Sequence, residues 1–369
     1  MTETTETTGR NRGKPVRKAV DTRNFPPLRV ARVIVEGTVT RPLRFQSNGN
    51  GSMTDAWDAG IREAMLKRGC LRDRAHLGQC LNCALLPQCD VWPLIAPADP
   101  TRRQTGAFVR PFIPLPPDLP TGTTIPTGTR ATHGITVVQD GTFGTLWGQF
   151  AVAYVRATRQ LAEWGFGTPG AASDGPPRRG ALSVAKVQWQ NPITGETQPF
   201  TADDAIASAP PLWYEEPATP AAANSDDGDD DMPIPDTRLH ERLVVEFVTP
   251  LRIVAAGETQ RRPDLALLVR RIGERAETLC AGLKVSLPPS LQPAAHEAAV
   301  TVATGVRIAR DETRWEGGHK DGGLVGSITL DIAPHDRAVL LPALRWAQAL
   351  GVGKGAQTGA GRIAVRMAE

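Results

Sequence analysis

Four of the five cysteines in the chain fall within twenty residues, in the arrangement Cys70-x9-Cys80-x2-Cys83-x5-Cys89, and the fifth is Cys280. The two-residue spacing lets the thiolates of Cys80 and Cys83 reach one metal ion from a tight turn. Cys70 and Cys89 can complete a tetrahedral shell of four thiolates. The spacing therefore predicts zinc or an iron–sulfur cluster that stabilises the fold, because four thiolates leave no open position for water.

Two disulfides or free structural thiols are the alternatives to a metal site. Residues 1–24 are rich in Thr, Arg and Lys and lack the apolar stretch of a secretory signal. A chain of 369 residues also needs no disulfides to fold. We therefore favour a metal or cluster, then free thiols, and place disulfides last. No run of about 18 apolar residues occurs, so we expect no membrane span and a cytoplasmic protein.

A second unusual segment is Gly351-Val-Gly-Lys-Gly-Ala-Gln-Thr-Gly-Ala-Gly361. Its five glycines allow the backbone to approach another surface closely, and Lys354 adds a positive charge at its centre. It is not a Walker loop, because Lys354 is followed by Gly355 and because the segment follows a predicted helix. The same context excludes a dinucleotide-binding fingerprint. The remaining interpretations are a ligand-binding loop or a tightly packed turn.

The charge is unevenly distributed along the chain. The formal net charge is +3, from 42 Lys and Arg against 39 Asp and Glu. Residues 213–236 contain eight acids and no base, which leaves the remainder of the chain at +11. A moderately basic protein is suited to contact phosphate backbones, although ordinary surface charge gives a similar balance.

The apolar patterns predict an α+β fold with two similar halves. In the first half we predict strands at 28–39, 134–139 and 182–188, a helix from Thr54 or Asp55 to about Arg68, and a helix at Leu146–Trp164. In the second half we predict strands at 243–254, 300–309, 323–332 and 362–365, with helices at 264–283 and 338–350.

The second half has the β-α-β-β-α-β order of a ferredoxin-like domain, and the first half is interpreted as a degenerate copy of it. We therefore predict tandem ferredoxin-like domains. The predicted divisions are a disordered basic tail at 1–24, an N-terminal domain with the cysteine insertion at 25–212, an acidic linker at 213–236 and a C-terminal domain at 237–369.

Several stretches, taken in order, resemble the RAMP superfamily of CRISPR-associated proteins, and in particular its precursor-RNA processing endoribonucleases. A Gly-rich loop before the last strand of the C-terminal domain is a signature of that superfamily. The cysteine run resembles a cluster found in one subset of the processing branch. The other matching stretches are SMTDAWDAGIREAMLKRGC (52–70), FGTLWGQFAVAYVRATRQLAEWGFGTPG (143–170), RRGALSVAKV (178–187), LVVEFVTPLRI (243–253), GGLVGSITL (322–330) and LRWAQALGVGKGAQTGAGRIAV (344–365).

The resemblance implies a nuclease that cuts the repeat of a CRISPR transcript without a catalytic metal. The ribose 2′-OH attacks the adjacent phosphate and leaves a 2′,3′-cyclic phosphate. That reaction needs a general base, a general acid for the leaving 5′-oxygen and cations near the crowded phosphate.

The catalytic histidine of such proteins usually lies near the first strand or first helix, but residues 40–69 contain no His. We instead predict that His319 and Lys320, side by side in a Gly-rich turn, form the catalytic pair. His76, inside the cysteine segment, is the alternative, and a third possibility is in-line attack assisted by Arg and Lys alone.

The resemblance also implies RNA contacts from the Gly-rich loop and from exposed arginines. The predicted RNA-binding residues are Gly351, Gly353, Lys354, Gly355, Gly359, Gly361, Arg178, Arg179 and Arg314. The predicted partners are CRISPR repeat RNA and other subunits of an effector complex. Two other interpretations stay open: a RAMP subunit that holds guide RNA without cutting it, and a redox protein, which a visible colour would indicate.

Overall fold

The computed structural model describes residues 25–44, 57–64, 110, 112–119, 124–139, 146–167, 179–201, 213–217, 241–317 and 322–368. These residues form two large sheets with helices packed against them and one small two-stranded sheet. The predicted cysteine site, the predicted catalytic pair and Arg178 all lie outside the described residues.

The N-terminal unit is a ferredoxin-like sheet with one additional strand. Its central strand β1 pairs antiparallel with β3 on one side and β5 on the other, giving the order β2-β3-β1-β5-β6. With β4 and β5 counted as the fourth strand, this is the 2-3-1-4 order of a β-α-β-β-α-β unit. The elements are β1 (Arg29–Arg41), helix α1 (57–64), β2 (Phe112–Leu115), β3 (Arg130–Gln139), helix α2 (Leu146–Trp164), β4 (Ala181–Leu182), β5 (Lys186–Gln190) and β6 (Thr197–Pro199).

The C-terminal unit has the same strand order, β10-β12-β7-β13. Strand β7 is central and pairs antiparallel with β12 and β13. The elements are β7 (Glu241–Leu251), β8 (Val254–Ala255), β9 (Glu258–Thr259), α3 (Leu265–Leu283), α4 (Pro293–Gly305), β10 (Arg307–Asp311), β11 (Arg314–Glu316), β12 (Gly323–Ile332), α5 (Pro334–Leu350) and β13 (Ile363–Met367). The predicted tandem ferredoxin-like fold is therefore confirmed.

Helix α3 follows the periodicity that predicted it. The Asp264 carboxylate caps the helix by accepting a hydrogen bond of 2.8 Å from the Leu267 amide. The predicted apolar positions Leu265, Leu268, Val269, Ile272, Ala276 and Leu279 are all buried. The stripe packs against α4 and α5 and forms the core of the unit.

The strand predicted at 300–309 is wrong. Helix α4 occupies Pro293–Gly305, and strand β10 begins only at Arg307. Pro293 is at the first turn of the helix, where proline is tolerated, and the alanines that follow favour helix over the β-branched Val300 to Val302. Burial of Ala299, Val300 and Ala303 against α3 further stabilises the helix.

The two units pack with the second face of the N-terminal sheet against the helices of the C-terminal unit. Val30 and Val138 lie opposite each other on that face and join the C-terminal core. Arg32, on the same face, donates hydrogen bonds to Thr136 Oγ1 and to the Gln348 carbonyl of α5. Apolar side chains of both units therefore form one continuous core at the junction. The buried guanidinium of Arg32 lies at the edge of this core.

Residues 213–217, the first part of the predicted acidic linker, belong to this junction. The Tyr214 ring packs against Trp346, with ring centroids 5.1 Å apart, while its backbone pairs with Val30. The Glu216 carboxylate accepts hydrogen bonds from Trp346 Nε1 at 2.8 Å and Ser290 Oγ at 2.7 Å. This segment thus connects β1 to the C-terminal helices. No helix of the described residues is long and apolar enough to cross a membrane.

Candidate functional site

The Gly-rich loop begins where α5 ends, and all five of its glycines have positive φ. A Cβ atom at Gly361 would lie 1.8 Å from the Val352 carbonyl oxygen, so no other residue fits there. The loop backbone is tied to the end of β7: the Gly361 amide donates to Pro250 O and the Lys354 amide to Arg252 O. The loop is therefore a packed structure with a defined conformation.

Gly359 places the same loop against the other unit. A Cβ atom there would lie 2.6 Å from the carbonyl oxygen of Pro114, in β2 of the N-terminal unit. The Gly359 carbonyl accepts a hydrogen bond of 3.0 Å from Thr249 Oγ1, which itself accepts one from the Arg362 amide. At Gly359 and Gly361 the structure supports the packed-turn interpretation, and their predicted RNA contact stays a prediction.

A cleft of about 410 Å³ opens beside this loop, at the junction of the two units. The N-terminal unit contributes residues around β2, and the C-terminal unit contributes Ile253 and Val254 after β7, one side of α3 and the Gly-rich loop. Its wall contains four basic residues and one acid, namely Arg110, Arg271, Arg275, Lys354 and Glu274. The cleft is therefore suited to an anionic ligand.

Arg110 is held in the cleft wall by a carboxylate of helix α1. Its Nη1 lies 2.8 Å from Asp58 Oδ1, and the Asp58 side chain is only 1% exposed. Arg62 Nε approaches the other oxygen of the same carboxylate at 2.9 Å. Burial raises the pKa of Asp58, while Arg110 and Arg62 oppose that shift. Because two guanidiniums share one carboxylate, the cluster keeps an excess of positive charge near the cleft.

Arg271 and Arg275 lie one turn apart on α3. The Arg271 guanidinium pairs with Glu274 and also donates to the Val254 carbonyl. Arg275 Nε donates to the Leu350 carbonyl at 3.0 Å, and burial lowers the pKa of Arg275 to about 10. The Arg275 guanidinium therefore stays cationic at neutral pH.

Lys354 projects from the Gly-rich loop with an exposed side chain. Its position is set by its backbone, which is bonded to Arg252 O. Within the part of the chain that the structure describes, no carboxylate pairs with the Lys354 ammonium or with Arg275. The loop thus brings the cation predicted from sequence to the rim of the cleft.

His133, the histidine of the N-terminal sheet that the structure describes, is a core residue. It is 2% exposed, and its Nδ1 lies 2.8 Å from the Tyr154 hydroxyl, which is also buried. Burial lowers the pKa of His133 to about 3. A neutral, enclosed imidazole has no route to a ligand at the surface, so His133 is unsuited to acid–base catalysis.

Two predicted RNA-binding arginines are on the described surface. Arg179 is exposed, and its carbonyl accepts a hydrogen bond of 3.1 Å from Arg41 Nε. The Arg314 side chain on β11 is 72% exposed and pairs with Glu316 at 3.6 Å. Neither residue lines the cleft, so any shared contact with a ligand requires an extended molecule.

The described residues on either side of the predicted catalytic turn adjoin the end of β7. Glu316 pairs with Gly323 across β11 and β12. A Cβ atom at Gly323 would lie 2.8 Å from the Leu251 carbonyl oxygen, close to where the Gly361 amide bonds to Pro250. Glu316 and Gly323, which flank the predicted catalytic residues in the sequence, therefore lie at the end of the sheet that also anchors the Gly-rich loop.

Sequence reasoning missed Arg110, Arg271 and Arg275. Arg271 and Arg275 are four residues apart beside the apolar stripe of α3, a pattern visible in the sequence but common on solvated helices. The sequence around Arg110 has no comparable spacing pattern, because its partner Asp58 is 52 residues away.

The predicted metal site stays a prediction. Among the described residues, no three His, Cys, Asp or Glu side chains are grouped so that they can hold a metal ion. Cys70, Cys80, Cys83 and Cys89 are not among those residues. Cys280, the remaining cysteine, is a buried free thiol whose pKa burial raises to about 12.

Residues 245–363 match the family model of the CRISPR-associated endoribonuclease Cas6. The match runs from β7 to the start of β13 and includes the whole Gly-rich loop. The resemblance predicted from sequence is thereby confirmed for this part of the chain. No curated protein matches the chain.

Solved structures of Cas6 proteins are similar over most of the chain. Thermus thermophilus Cas6 has 16% identity and a TM-score of 0.43, with 92% of this chain and 99% of that chain covered. A Cas6 product complex has 14% identity and a TM-score of 0.40, with coverage of 92% and 99%. A partial Cas6-RT-Cas1--Cas2 complex has 12% identity and a TM-score of 0.48, with coverage of 93% and 47%.

Proposed function

We propose that the protein is a metal-independent endoribonuclease that binds CRISPR repeat RNA and cuts precursor transcripts into guide RNAs. The observation that carries the proposal is the Cas6 family match over 245–363, whose Gly-rich loop borders a cationic cleft. The product carries a 2′,3′-cyclic phosphate, because the attacking nucleophile is the ribose 2′-OH beside the cut.

The reaction requires acid–base groups and a cation near one phosphate. We assign these roles to His319 and Lys320, since an imidazole exchanges protons near neutral pH and an ammonium stabilises the developing charge. The assignment is supported by Glu316 and Gly323, which flank His319 and Lys320 in the sequence and lie near the end of β7, where the Gly-rich loop is anchored. It is also supported by the burial of His133, because an enclosed, neutral imidazole is unsuited to acid–base catalysis.

RNA affinity comes from cations that contact phosphates and from unpaired bases that the protein surrounds. Lys354 and the Gly-rich loop, together with Arg178, Arg179 and Arg314, form the proposed RNA-binding set. The cleft adds Arg110 and Arg275, whose positions support an RNA path between the two units.

We further propose that Cys70, Cys80, Cys83 and Cys89 hold zinc or an iron–sulfur cluster as a structural staple. The chemistry of the donor set supports this role, since four thiolates saturate a tetrahedral ion. No step of RNA cleavage passes through that site. Metal analysis of the purified protein and of a Cys80→Ser variant tests it: one equivalent of zinc, or of a cluster, is expected only in the parent protein.

A second candidate is a RAMP subunit that holds guide RNA in an effector complex without cutting it. It is favoured by one observation: residues 40–69, where a catalytic histidine is expected, contain none. Other subunits of such a complex are then the partners.

The decisive experiment incubates the purified protein, in EDTA, with a labelled transcript that carries the host repeat. A single cut per repeat that ends in a 2′,3′-cyclic phosphate is expected. A transcript with one 2′-deoxyribose at the cut nucleotide is the matched control and must stay intact. Tight binding of both transcripts without any cut would establish the RNA-holding subunit instead.

A further inference from the structure

The cleft between the units combines an apolar floor with a charged rim. Its volume of about 410 Å³ falls in the range of roughly 300–1,000 Å³ that is usual for small-ligand sites. The floor consists of apolar side chains that are each less than a tenth exposed: Phe112, Ile113, Ile253 and Leu279. The rim consists of exposed or partly buried polar side chains, among them Lys354, Thr278, Arg271 and Arg275. Such a site accepts a ligand with one flat apolar part and one anionic part.

The cations of the rim differ in how far the protein neutralises them. Arg271 has Glu274 and Arg110 has Asp58, but Arg275 and Lys354 have no carboxylate partner among the described residues. A partly buried guanidinium without a counter-charge is stabilised when an anion binds beside it. An anion bound in the cleft would be stabilised most on the side between α3 and the Gly-rich loop, where Arg275 and Lys354 lie.

We propose that this cleft binds one unpaired nucleotide of the RNA, with its base against the apolar floor and a flanking phosphate beside Arg275 and Lys354. The inference rests on the proposed function and adds a feature to it: the protein captures a single nucleotide that is extruded from, or adjacent to, the paired part of the repeat. A paired stem is too wide to enter a space of this volume, so the cleft selects single-stranded RNA at one position. A free nucleoside monophosphate has the same chemistry, and the test separates the two sources.

The first test blocks the base while leaving the cations in place. Thr278 is exposed on the cleft side of α3, where its hydroxyl donates to the Glu274 carbonyl four residues earlier. Thr278→Phe fills the cleft with a ring. Thr301→Phe is the matched control, because Thr301 is equally exposed on α4 and donates in the same way to the Glu297 carbonyl.

The readout is 2-aminopurine fluorescence, with the probe placed at one unpaired position of the deoxy-blocked repeat RNA at a time. We expect one position whose fluorescence changes when the parent protein or Thr301→Phe binds, and does not change with Thr278→Phe. An abasic nucleotide at that position should weaken binding to the parent protein by about tenfold, the scale expected for burying part of a base. It should not weaken binding to Thr278→Phe. If no probe position changes its fluorescence on binding, or if Thr278→Phe and Thr301→Phe give the same fluorescence change, the proposal is overturned.

The second test removes a cation at the rim. Lys354→Ala should reduce the slope of log affinity against log salt by about 0.7, the value for one phosphate contact on single-stranded nucleic acid. Arg270→Ala is the control, because Arg270 is exposed on α3 but does not line the cleft. Equal slopes for both variants would contradict the phosphate position.

A third arm titrates the protein with AMP and UMP alone. We expect only weak binding, at millimolar concentrations, that the repeat RNA displaces. Tight monophosphate binding that RNA does not displace would overturn the proposal and make the cleft a mononucleotide site. If RNA is cut normally while the fluorescence scan is flat, this inference alone fails. If RNA neither binds nor is cut, the proposed function fails with it.

Discussion

The connection from the second helix to the fourth strand occurs twice in this molecule, and the two copies pack differently. In the N-terminal unit a Cβ atom at Gly165 would lie 2.5 Å from the Gly180 carbonyl oxygen, and one at Gly180 would lie 2.6 Å from that of Pro42. Both contacts stay inside the unit. In the C-terminal unit Gly359 presses on Pro114 of the other unit.

A glycine-rich connection does not by itself indicate a ligand. At its described glycines, Gly165 and Gly180, the N-terminal copy packs within its own unit, whereas the C-terminal copy joins the two units and carries Lys354 to the rim of the cleft. What distinguishes them is the surface that each backbone approaches. Variants in both units test whether this division between packing within a unit and joining the units is correct.

Asp58→Asn should have the largest effect, although it alters contacts within the N-terminal unit alone. It leaves the partly buried Arg110 and Arg62 facing a neutral amide, and breaking a buried ion pair lowers the free energy of unfolding by about 3 kcal/mol. Denaturant unfolding measures the loss. In a double-mutant cycle, adding Arg110→Gln should restore part of it, and strictly additive effects would contradict the pairing.

Gly359→Ala should loosen the junction. A non-glycine residue at its φ of 95°, pressed against the Pro114 carbonyl, costs about 1–3 kcal/mol in total. Gly195→Ala is the control for φ alone, since Gly195 has a φ of 75° with nothing within 4 Å of a Cβ. We expect Gly359→Ala to lower both stability and RNA affinity, and Gly195→Ala to lower stability slightly. Equal RNA affinity in both variants would show that the contact of Gly359 with Pro114 does not contribute to RNA binding.

The buried His133 predicts a specific pH dependence. Its pKa is lowered from 6.5 to about 3, so below pH 6.5 the unfolded chain binds a proton that the folded protein excludes. The stabilisation present above pH 6.5 is therefore lost as the pH falls toward 3, at up to about 1.4 kcal/mol per pH unit. Between pH 6.5 and 5, His133→Gln should flatten the decline in unfolding free energy relative to the parent protein. A parallel decline in the parent protein and the variant would show that other groups control it.

The smallest effects compare the two connections directly. Lys354→Ala and Arg179→Ala each remove one proposed phosphate contact, so each should weaken RNA binding a few fold and reduce the salt slope by about 0.7. If one RNA molecule contacts both connections, the two changes add in the double variant. If Arg179→Ala changes neither the RNA affinity nor its salt dependence, then the RNA contacts only the C-terminal connection.

The sequence was sufficient for the elements whose patterns are local. The stripe from Leu265 to Leu279 predicted α3, and the glycines with Lys354 marked the loop that lines the cleft. Two kinds of feature could not be predicted from the sequence.

The strand predicted at Val300–Ala309 was wrong because packing of Ala299 and Ala303 against α3 favours a helix over the strand propensity of β-branched residues. The cleft was missed because Arg110 and Arg275 belong to different units, and only the tertiary fold brings them together.

The most direct measurement is the single-turnover cleavage rate of His319→Ala, beside His76→Ala and His335→Ala, with RNA affinity measured in parallel. We place the chemistry in the C-terminal unit, next to the Gly-rich loop. We therefore expect His319→Ala to cut at least about 100-fold more slowly, the usual contribution of a general acid or base, with unchanged affinity and with the two controls at the parent rate. A His319→Ala protein that cuts at the parent rate would contradict the account.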